Sequence, residues 1–145
     1  MSELSYKLVT NDGELQGAFE VRRRVFVEEQ EIPEDEEYDD CDSEALHIVA
    51  KEGDRVIGTA RVQFLADNHA KIERMAVLIP FRRKGIGTKI MTFLDEELKS
   101  RQVKQVVLHA QCVVAGFYES CGFERYGSPF LEVGIEHIKM QKRIA

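Results

Sequence analysis

A glycine-containing loop between a predicted strand and a predicted helix is the sequence feature that most limits how this chain can fold. The loop spans residues 80–88 and reads Pro-Phe-Arg-Arg-Lys-Gly-Ile-Gly-Thr. From its end onward, an apolar residue recurs every four positions at Ile86, Ile90, Leu94 and Leu98. This spacing predicts a helix with one apolar face, so the unit consists of a strand, a tight turn and a helix that packs on a sheet.

The same loop has the chemistry of an anion site. Gly85 and Gly87 permit a tight turn and a close approach of the backbone to a ligand. Unpaired N–H groups and the dipole at a helix N-terminus favour negative charge, and Arg82, Arg83 and Lys84 add positive charge there. We therefore predict a diphosphate site. The P-loop and dinucleotide-binding patterns do not fit, and a plain turn with surface cations remains the alternative for the loop taken alone.

The rest of the 145-residue chain predicts strands and helices in alternation. Alternating or β-branched runs predict strands at 5–9, 46–50, 55–65, 71–78, 106–110, 123–126 and 135–142. Helical spacing predicts helices at about 15–26, from Gly85 onward, and at 113–121, with an acidic loop after the first. Such an order mixes an antiparallel meander with a strand-helix-strand crossover. The expected fold is α/β (α+β) around one mixed sheet, in a single domain covering 1–145.

Charge is unevenly spread along the chain. Ten acids and no Lys or Arg occupy residues 28–42, while the net charge of the whole chain is −6. A nucleic-acid-binding protein usually shows the opposite balance on its working face, although Arg22–Arg24 and the cationic loop keep a nucleic-acid-binding module open as a rival. An acidic rim would instead attract a cationic substrate such as an amine.

Cysteine usage and hydropathy bear on where the protein works. Cys41, Cys112 and Cys121 are odd in number and lack CxxC spacing, which argues against a disulfide framework or a zinc site. No apolar run approaches the ~18 residues that a membrane span needs. Residues 1–6 lack the basic and apolar regions of a secretory signal. We expect a cytoplasmic protein with no metal, no membrane and no nucleic-acid partner.

Three segments resemble the GNAT acetyltransferases. Arg82-x-x-Gly85-x-Gly87 matches the family signature (Gln/Arg)-x-x-Gly-x-(Gly/Ala), and residues 72–77 are similar to the strand that precedes it. Residues 115–123, with Phe117-Tyr118 followed by Gly-Phe, resemble the second family motif. The spacing between the motifs also fits, and the resemblance covers nearly the whole chain. A closer likeness is to the ElaA-like and YjcF-like bacterial branch, on residues 25–30, 108–111 and 130–137.

The resemblance implies a mixed, mostly antiparallel sheet, splayed between its fourth and fifth strands and flanked by helices. Coenzyme A (CoA) would lie in that wedge, with acetyl-CoA as cosubstrate. By position, the fourth strand is 71–78 and the fifth is 106–111. The residues implied for CoA binding are Met75, Ala76, Val77, Arg82, Arg83, Lys84, Gly85, Ile86, Gly87, Thr88, Gln111 and Phe117.

For the chemistry, the resemblance implies an N-acetyltransferase that lets a primary amine attack the thioester directly. Tyr118 matches the tyrosine that protonates the leaving thiolate. A backbone N–H such as that of Val77 would stabilise the oxyanion. Glu73 is the candidate base, acting directly or through water, and His109 is a second one.

Residues implied for acceptor binding are Glu28, Glu29, His109, Glu132 and His137. The identity of the amine is left open by the sequence, and a homodimer through the C-terminal strands is a further expectation. A non-catalytic acyl-CoA-binding protein on the same fold is the alternative function, because fold alone does not fix function.

Overall fold

The computed structural model describes residues 3–144 and contains seven strands and four α-helices. The strands are β1 (Leu4–Leu8), β2 (Leu46–Glu52), β3 (Arg55–Leu65), β4 (His69–Val77), β5 (Gln105–Gln111), β6 (Glu124–Glu132) and β7 (Ile135–Arg143). The helices are α1 (Asp12–Arg22), α2 (Glu34–Glu37), α3 (Ile86–Ser100) and α4 (Ala115–Ser120). A π-helical segment, Arg23–Glu29, continues directly from α1.

All seven strands form one sheet in the order β1-β2-β3-β4-β5-β7-β6. Every neighbouring pair is antiparallel except β4 and β5, which are parallel. A parallel pair needs a crossover connection, and α3 provides it. The predicted α/β architecture with a mixed, mostly antiparallel sheet is confirmed.

The sheet splays where β4 and β5 part. Their pairing begins at His69↔Gln105 and stops at Ile72↔Leu108, although both strands continue. Beyond this point β4 pairs only with β3, and β5 pairs only with β7 as far as Gln111↔His137. The edges of Glu73–Val77 and of residues 109–111 therefore face an open wedge, as the family resemblance implied.

Helix α3 packs its apolar face into the core. Ile90, Leu94 and Leu98 are fully buried, as are Ile48 and Val62 of the sheet. Fully burying such a side chain contributes about 1.5–3 kcal/mol, so this stripe fixes the helix that carries the glycine loop. The loop is thus held at the carboxyl end of β4.

Helix α1 begins at Asp12, three residues before the predicted start near residue 15. The Asn11 side chain accepts a 2.8 Å hydrogen bond from the backbone N–H of Glu14, which satisfies one of the unpaired donors of the first turn. Gly17 lies so close to β3 that a Cβ there would be 2.6 Å from Val56 Cγ2. The helix therefore packs closely on the sheet, and the π-helical segment that follows it lies beside the wedge.

The acidic segment differs from the expected loop. It contains α2 and a 3₁₀ turn, Asp40–Ser43. The repulsion expected among its carboxylates is offset by buried arginines from other elements, described below. β6 is also longer than predicted and reaches Glu132, with an irregularity between Tyr126 and Phe130. Within residues 3–144, no helix combines the length and apolar character needed to cross a membrane.

Candidate active site

The wedge between β4 and β5 opens into a cavity of about 540 Å³. Its lining includes most of the polar groups that the sequence nominated: Glu29, Glu73, Arg82, His109, Gln111, Tyr118, Glu132 and His137. Met75, Ala76 and Val77 of β4 line it as well. Residues that lie far apart in the sequence thus meet in one place, which is typical of a ligand-binding site.

The glycine loop lies beside this cavity and has the geometry of an anion cradle. Gly85, the residue before α3, has φ 79°, a left-handed conformation that glycine adopts without strain. No side chain caps this end of α3, so the first-turn N–H groups lack a side-chain acceptor. A Cβ added at Gly85 would meet nothing within 4 Å. Arg83 and Lys84 are exposed on the same loop, so the residues present fit a diphosphate.

Gly87 connects the loop to α4. A Cβ at Gly87 would lie 3.1 Å from Cζ of Phe117 and 3.6 Å from Cε of Met75. The ring of Phe117 makes an edge-to-face contact with Tyr118, with 5.1 Å between centroids. Phe117 therefore contacts both the glycine loop and Tyr118 and fixes their positions relative to each other. It does not line the cavity itself.

Tyr118 places its hydroxyl at the cavity beside β4. Its hydroxyl lies 3.7 Å from the Met75 sulfur, a weak acceptor, and its ring packs edge-on against Phe123. Burial raises the pKa of Tyr118 to about 12. The phenol thus keeps its proton near neutral pH and has no strong hydrogen-bond acceptor among the described residues.

Arg82 is held by protein groups. Its Nε donates to the backbone oxygen of Val77 at 2.8 Å, and its terminal nitrogens donate to both carboxylate oxygens of Glu29 at 2.7 and 2.8 Å. The hydrogen bond from Arg82 lowers the pKa of Glu29. This contact ties the π-helical segment to the glycine loop and neutralises the charge that was expected to meet a diphosphate.

Gln111 also bonds across the wedge. Its Nε2 donates to Oε1 of Gln30 at 2.8 Å. Glu29 and Gln30 are consecutive, so one residue contacts the β4 side of the wedge and the next contacts the β5 side. Glu28, by contrast, pairs with Arg23 and does not line the cavity.

Glu73 is held within an ion-pair network. It accepts a 2.9 Å hydrogen bond from Arg61 and another from Gln63, and Lys71 lies 3.5 Å away. Burial alone would raise the pKa of Glu73, but these hydrogen bonds and charges outweigh burial and lower it. Glu73 therefore stays ionised, with its oxygens already engaged.

Three arginines hold the acidic segment against this side of the cavity. Arg22 is almost fully buried and bonds Glu37 and Asp42, each at 2.7 Å. Arg61 bonds Asp39 at 2.7 Å and Asp42 at 3.0 Å. Arg74 reaches Glu37 and Asp39 from a β-bulge, with φ 54°. Residues Glu36, Glu37 and Arg74 line the cavity, and sequence reasoning missed them together with Gln30.

Two histidines and a carboxylate form the far wall. Nδ1 of His109 lies 3.0 Å from Oε1 of Glu132, and Nε2 of His137 lies 3.7 Å from Oε2 of the same carboxylate. Phe130 packs edge-on against His109 and lies tilted against His137. Within residues 3–144, no group of three or more potential ligands is arranged to hold a metal ion.

Comparison with known proteins places this fold and site in a family. The model of the acetyltransferase (GNAT) domain matches residues 7–144. The chain belongs to the GNAT acetyltransferase family. The GNAT relatives support acyltransferase chemistry, and the predicted branch is confirmed by the proteins that follow.

Two Bacillus subtilis (strain 168) proteins and one solved structure cover almost the whole GNAT chain. YyaT is 34% identical over 145 residues, which is 98% of this chain and 97% of its own. YjcF, named as an N-acetyltransferase, is 35% identical over 136 residues, 93% of this chain and 96% of its own. The crystal structure of Escherichia coli ElaA has a TM-score of 0.84 at 27% identity and covers 98% of this chain and 99% of its own.

Proposed function

We propose that the protein is an N-acetyltransferase that moves an acetyl group from acetyl-CoA to a primary amine by direct attack in a ternary complex. One observation carries the proposal. Tyr118, protonated and without a strong partner, lies in the cavity where β4 and β5 part, next to a helix N-terminus with the geometry of a diphosphate cradle. Donor binding and a proton donor for the leaving group thus meet in one wedge.

The donor half is built from backbone. The N–H groups of residues 85–88 would bind the diphosphate, with Arg83 and Lys84 adding charge at the loop surface. The edge of Met75, Ala76 and Val77 would bind the pantetheine arm, because β5 no longer pairs with it there, although the Val77 oxygen already accepts a hydrogen bond from Arg82. The Val77 N–H would stabilise the oxyanion, a type of contact whose removal typically costs 10²–10³ in rate.

Tyr118 would act on the departing sulfur. Its pKa of about 12 exceeds the ~8.5 of a free thiol, so full transfer to a hydrated thiolate is uphill. The same burial would raise the pKa of a thiol in the wedge, so the pKa difference between Tyr118 and the thiol would be smaller there. Tyr118 would therefore hydrogen-bond to the sulfur as charge develops and pass its proton as the C–S bond breaks.

The acceptor half is acidic on balance. Glu29, Glu36, Glu37, Glu73 and Glu132 line the cavity, against the cations Lys71, Arg74 and Arg82. A negative lining favours a protonated amine over an anionic acceptor. Glu29 and Gln30 at one side and Glu132 and His137 at the other would contact it, and Glu73 and His109 are the two candidate bases for its proton.

A library of amines with acetyl-CoA, read by release of free thiol, tests the function. The library should include polyamines, amino acids, aminoglycosides, peptide N-termini and lysine peptides. We expect thiol release with at least one amine, dependent on both substrates. Binding of CoA without release for any amine would instead support the rival, a non-catalytic acyl-CoA-binding protein.

A further inference from the structure

An amine acceptor must lose a proton before it can attack, because an aliphatic amine is an ammonium ion at neutral pH. The best base for this step has a conjugate acid that titrates near the working pH. Imidazoles as a class titrate near ~6.5 and carboxylates near ~4, so a histidine is better matched than an aspartate or glutamate.

Three of the five carboxylates that line the cavity are poorly suited to this task. Glu73 is bound by Arg61 and Gln63, and its pKa is lowered. The two oxygens of Glu29 both accept hydrogen bonds from Arg82. Glu37 is buried, with Arg22 on one oxygen and Arg74 near the other. Each of these three carboxylates already forms an ion pair with an arginine.

His109 is oriented by a carboxylate in the way a base requires. A carboxylate only accepts hydrogen bonds, so the 3.0 Å contact with Glu132 puts the proton of neutral His109 on Nδ1. The other ring nitrogen, Nε2, then carries a free lone pair. Within the described residues, Nε2 has no hydrogen-bond partner, and His109 lines the cavity. The ring is further fixed by the edge-to-face contact with Phe130, 5.1 Å between centroids.

His137 differs from His109 in this respect. Its Nδ1 donates to the backbone oxygen of Ile135 at 2.7 Å, and its Nε2 faces Glu132 at 3.7 Å, beyond a direct hydrogen bond. His137 is nearly buried, whereas a quarter of the His109 side chain is exposed. Of the two imidazoles, His109 is thus the one that is partly exposed and whose Nε2 has no partner among the described residues.

We infer that His109 is the general base for the acceptor amine and that Glu132 is a positioning residue that sets its tautomer, an inference that rests on the proposed acetyl transfer. An ammonium loses two protons in becoming an amide. The first goes to Nε2 of His109 and on to solvent, which frees the nitrogen lone pair. The N–C bond forms and the C–S bond breaks, Tyr118 gives its proton to the sulfur, and the second nitrogen proton returns through solvent to Tyr118.

Several charged groups face His109 from the neighbouring strands. Glu132 lies on β6, His137 on β7, and Lys139 of β7 is its register partner. Lys71 and Glu73 line the same cavity from β4. Interpreting the pH dependence of kcat therefore requires variants that distinguish the contribution of His109 from that of Glu73.

The tautomer is tested directly by long-range ¹H–¹⁵N NMR on the labelled protein, with His109 assigned by comparison with His109→Gln. We expect the neutral imidazole of His109 to be protonated on Nδ1 and bare on Nε2 in the wild type, and to lose that preference in Glu132→Gln. A wild-type His109 protonated on Nε2 would overturn the inference. Glu132 is half-exposed, so its variant should fold even if His109→Gln does not.

The catalytic role is tested with an amine found by the library screen. We expect His109→Gln to lower kcat at pH 7 about 100-fold, with little change in the KM for acetyl-CoA, and to lose the acid limb of the pH profile. The deficit should narrow above pH ~10, where the amine deprotonates unaided. Glu132→Gln should shift the profile with a smaller loss, and Glu132→Asp should restore part of it.

Two variants serve as comparisons. His69→Gln changes a histidine on β4 that does not line the cavity and should leave kcat unchanged. Glu73→Gln should retain the acid limb. If His109→Gln keeps the wild-type kcat and acid limb, the base inference fails while the proposed function survives. If the wild type transfers acetyl to no amine, both fail together.

Discussion

Arg82 and Glu29, 53 residues apart, are joined by two hydrogen bonds of 2.7 and 2.8 Å. The contact links the π-helical segment to the glycine loop. It also means that the arginine of the family signature meets a carboxylate before it can meet a phosphate.

We expect Glu29→Gln to tighten CoA binding by about two- to fivefold, because the carboxylate competes with phosphate for Arg82 and a partly exposed ion pair contributes about 0.2–1 kcal/mol. Calorimetric titration with CoA measures the effect, and the gain should shrink at high salt. Glu28→Gln is a matched control, since Glu28 pairs with Arg23 away from the cavity. Weaker CoA binding in Glu29→Gln would mean that the pair organises the site instead.

Tyr118→Phe should lower kcat about 10²-fold and leave CoA affinity nearly unchanged. Within residues 3–144, the Met75 sulfur at 3.7 Å is the only hydrogen-bond partner of the lost hydroxyl, so the unfolding free energy should change little. Steady-state kinetics and CoA titration check both parts. Tyr126→Phe, on the exposed face of β6, should behave as wild type. A large loss of CoA affinity in Tyr118→Phe would assign the tyrosine a structural role.

The two loop glycines should respond differently to alanine. Gly87→Ala would push Phe117, whose Cζ would lie 3.1 Å from the new Cβ, and should weaken CoA binding and turnover together. Gly85→Ala meets no neighbour but must keep φ near 79°, which costs about 1–2 kcal/mol of stability. Urea unfolding and CoA titration separate the two effects.

Gly116→Ala is the control for the glycine pair. A Cβ there meets nothing within 4 Å, and alanine favours a helix over glycine by up to ~1 kcal/mol. The variant should fold at least as stably as wild type and bind CoA equally. Equal CoA affinity in Gly87→Ala and Gly116→Ala would contradict the close packing of Phe117 on the loop.

Stability should fall in acid because of Asp42. Burial alone would raise the pKa of Asp42, but hydrogen bonds and charge from Arg22 and Arg61 outweigh burial and lower it. A folded-state pKa below the unfolded value of ~3.9 means that the ionised carboxylate stabilises the fold above about pH 4. That stabilisation is lost as the pH falls through the folded-state pKa.

Urea unfolding at pH 7 and pH 3 measures this dependence. Asp42→Asn should be less stable than wild type at pH 7 and should show a flatter dependence on pH. Asp54→Asn, in the exposed β2–β3 turn, should leave the profile unchanged. A wild-type profile that Asp42→Asn reproduces in full would show that other groups control acid unfolding.

Local sequence signals predicted much of this fold. Turn residues such as Gly53 and Asp67 adopt the positive φ that their types favour, and they separate β2, β3 and β4 as expected. The four-residue spacing from Ile86 to Leu98 identified α3, because a helix must bury one face. The order of strands and helices followed from these two kinds of pattern.

Side-chain contacts between residues far apart in the sequence could not be predicted from such local patterns. Arg61 on β3 binds Asp39 and Asp42, which lie in the acidic segment. The local sequence of that segment indicates its charge but not its arginine partner. Gln111 forms a hydrogen bond with Gln30, 81 residues away in the sequence. Arg74 adopts a left-handed φ at a β-bulge, and its residue type does not predict this conformation. Such contacts depend on how elements pack, so the residues expected to bind the acceptor were predicted one by one, whereas the glycine loop was predicted as a unit.

In the proposed mechanism, the wedge transfers acetyl from CoA to an amine without a covalent enzyme intermediate. Incubating the protein with ¹³C-acetyl-CoA and the library amines, followed by mass spectrometry of both protein and amines, tests this mechanism. We expect the label in an amide of one amine, strongly reduced in Tyr118→Phe, with no labelled protein formed in the absence of amine. Label on no amine while CoA still binds, or a labelled protein that precedes the amide, would contradict the account.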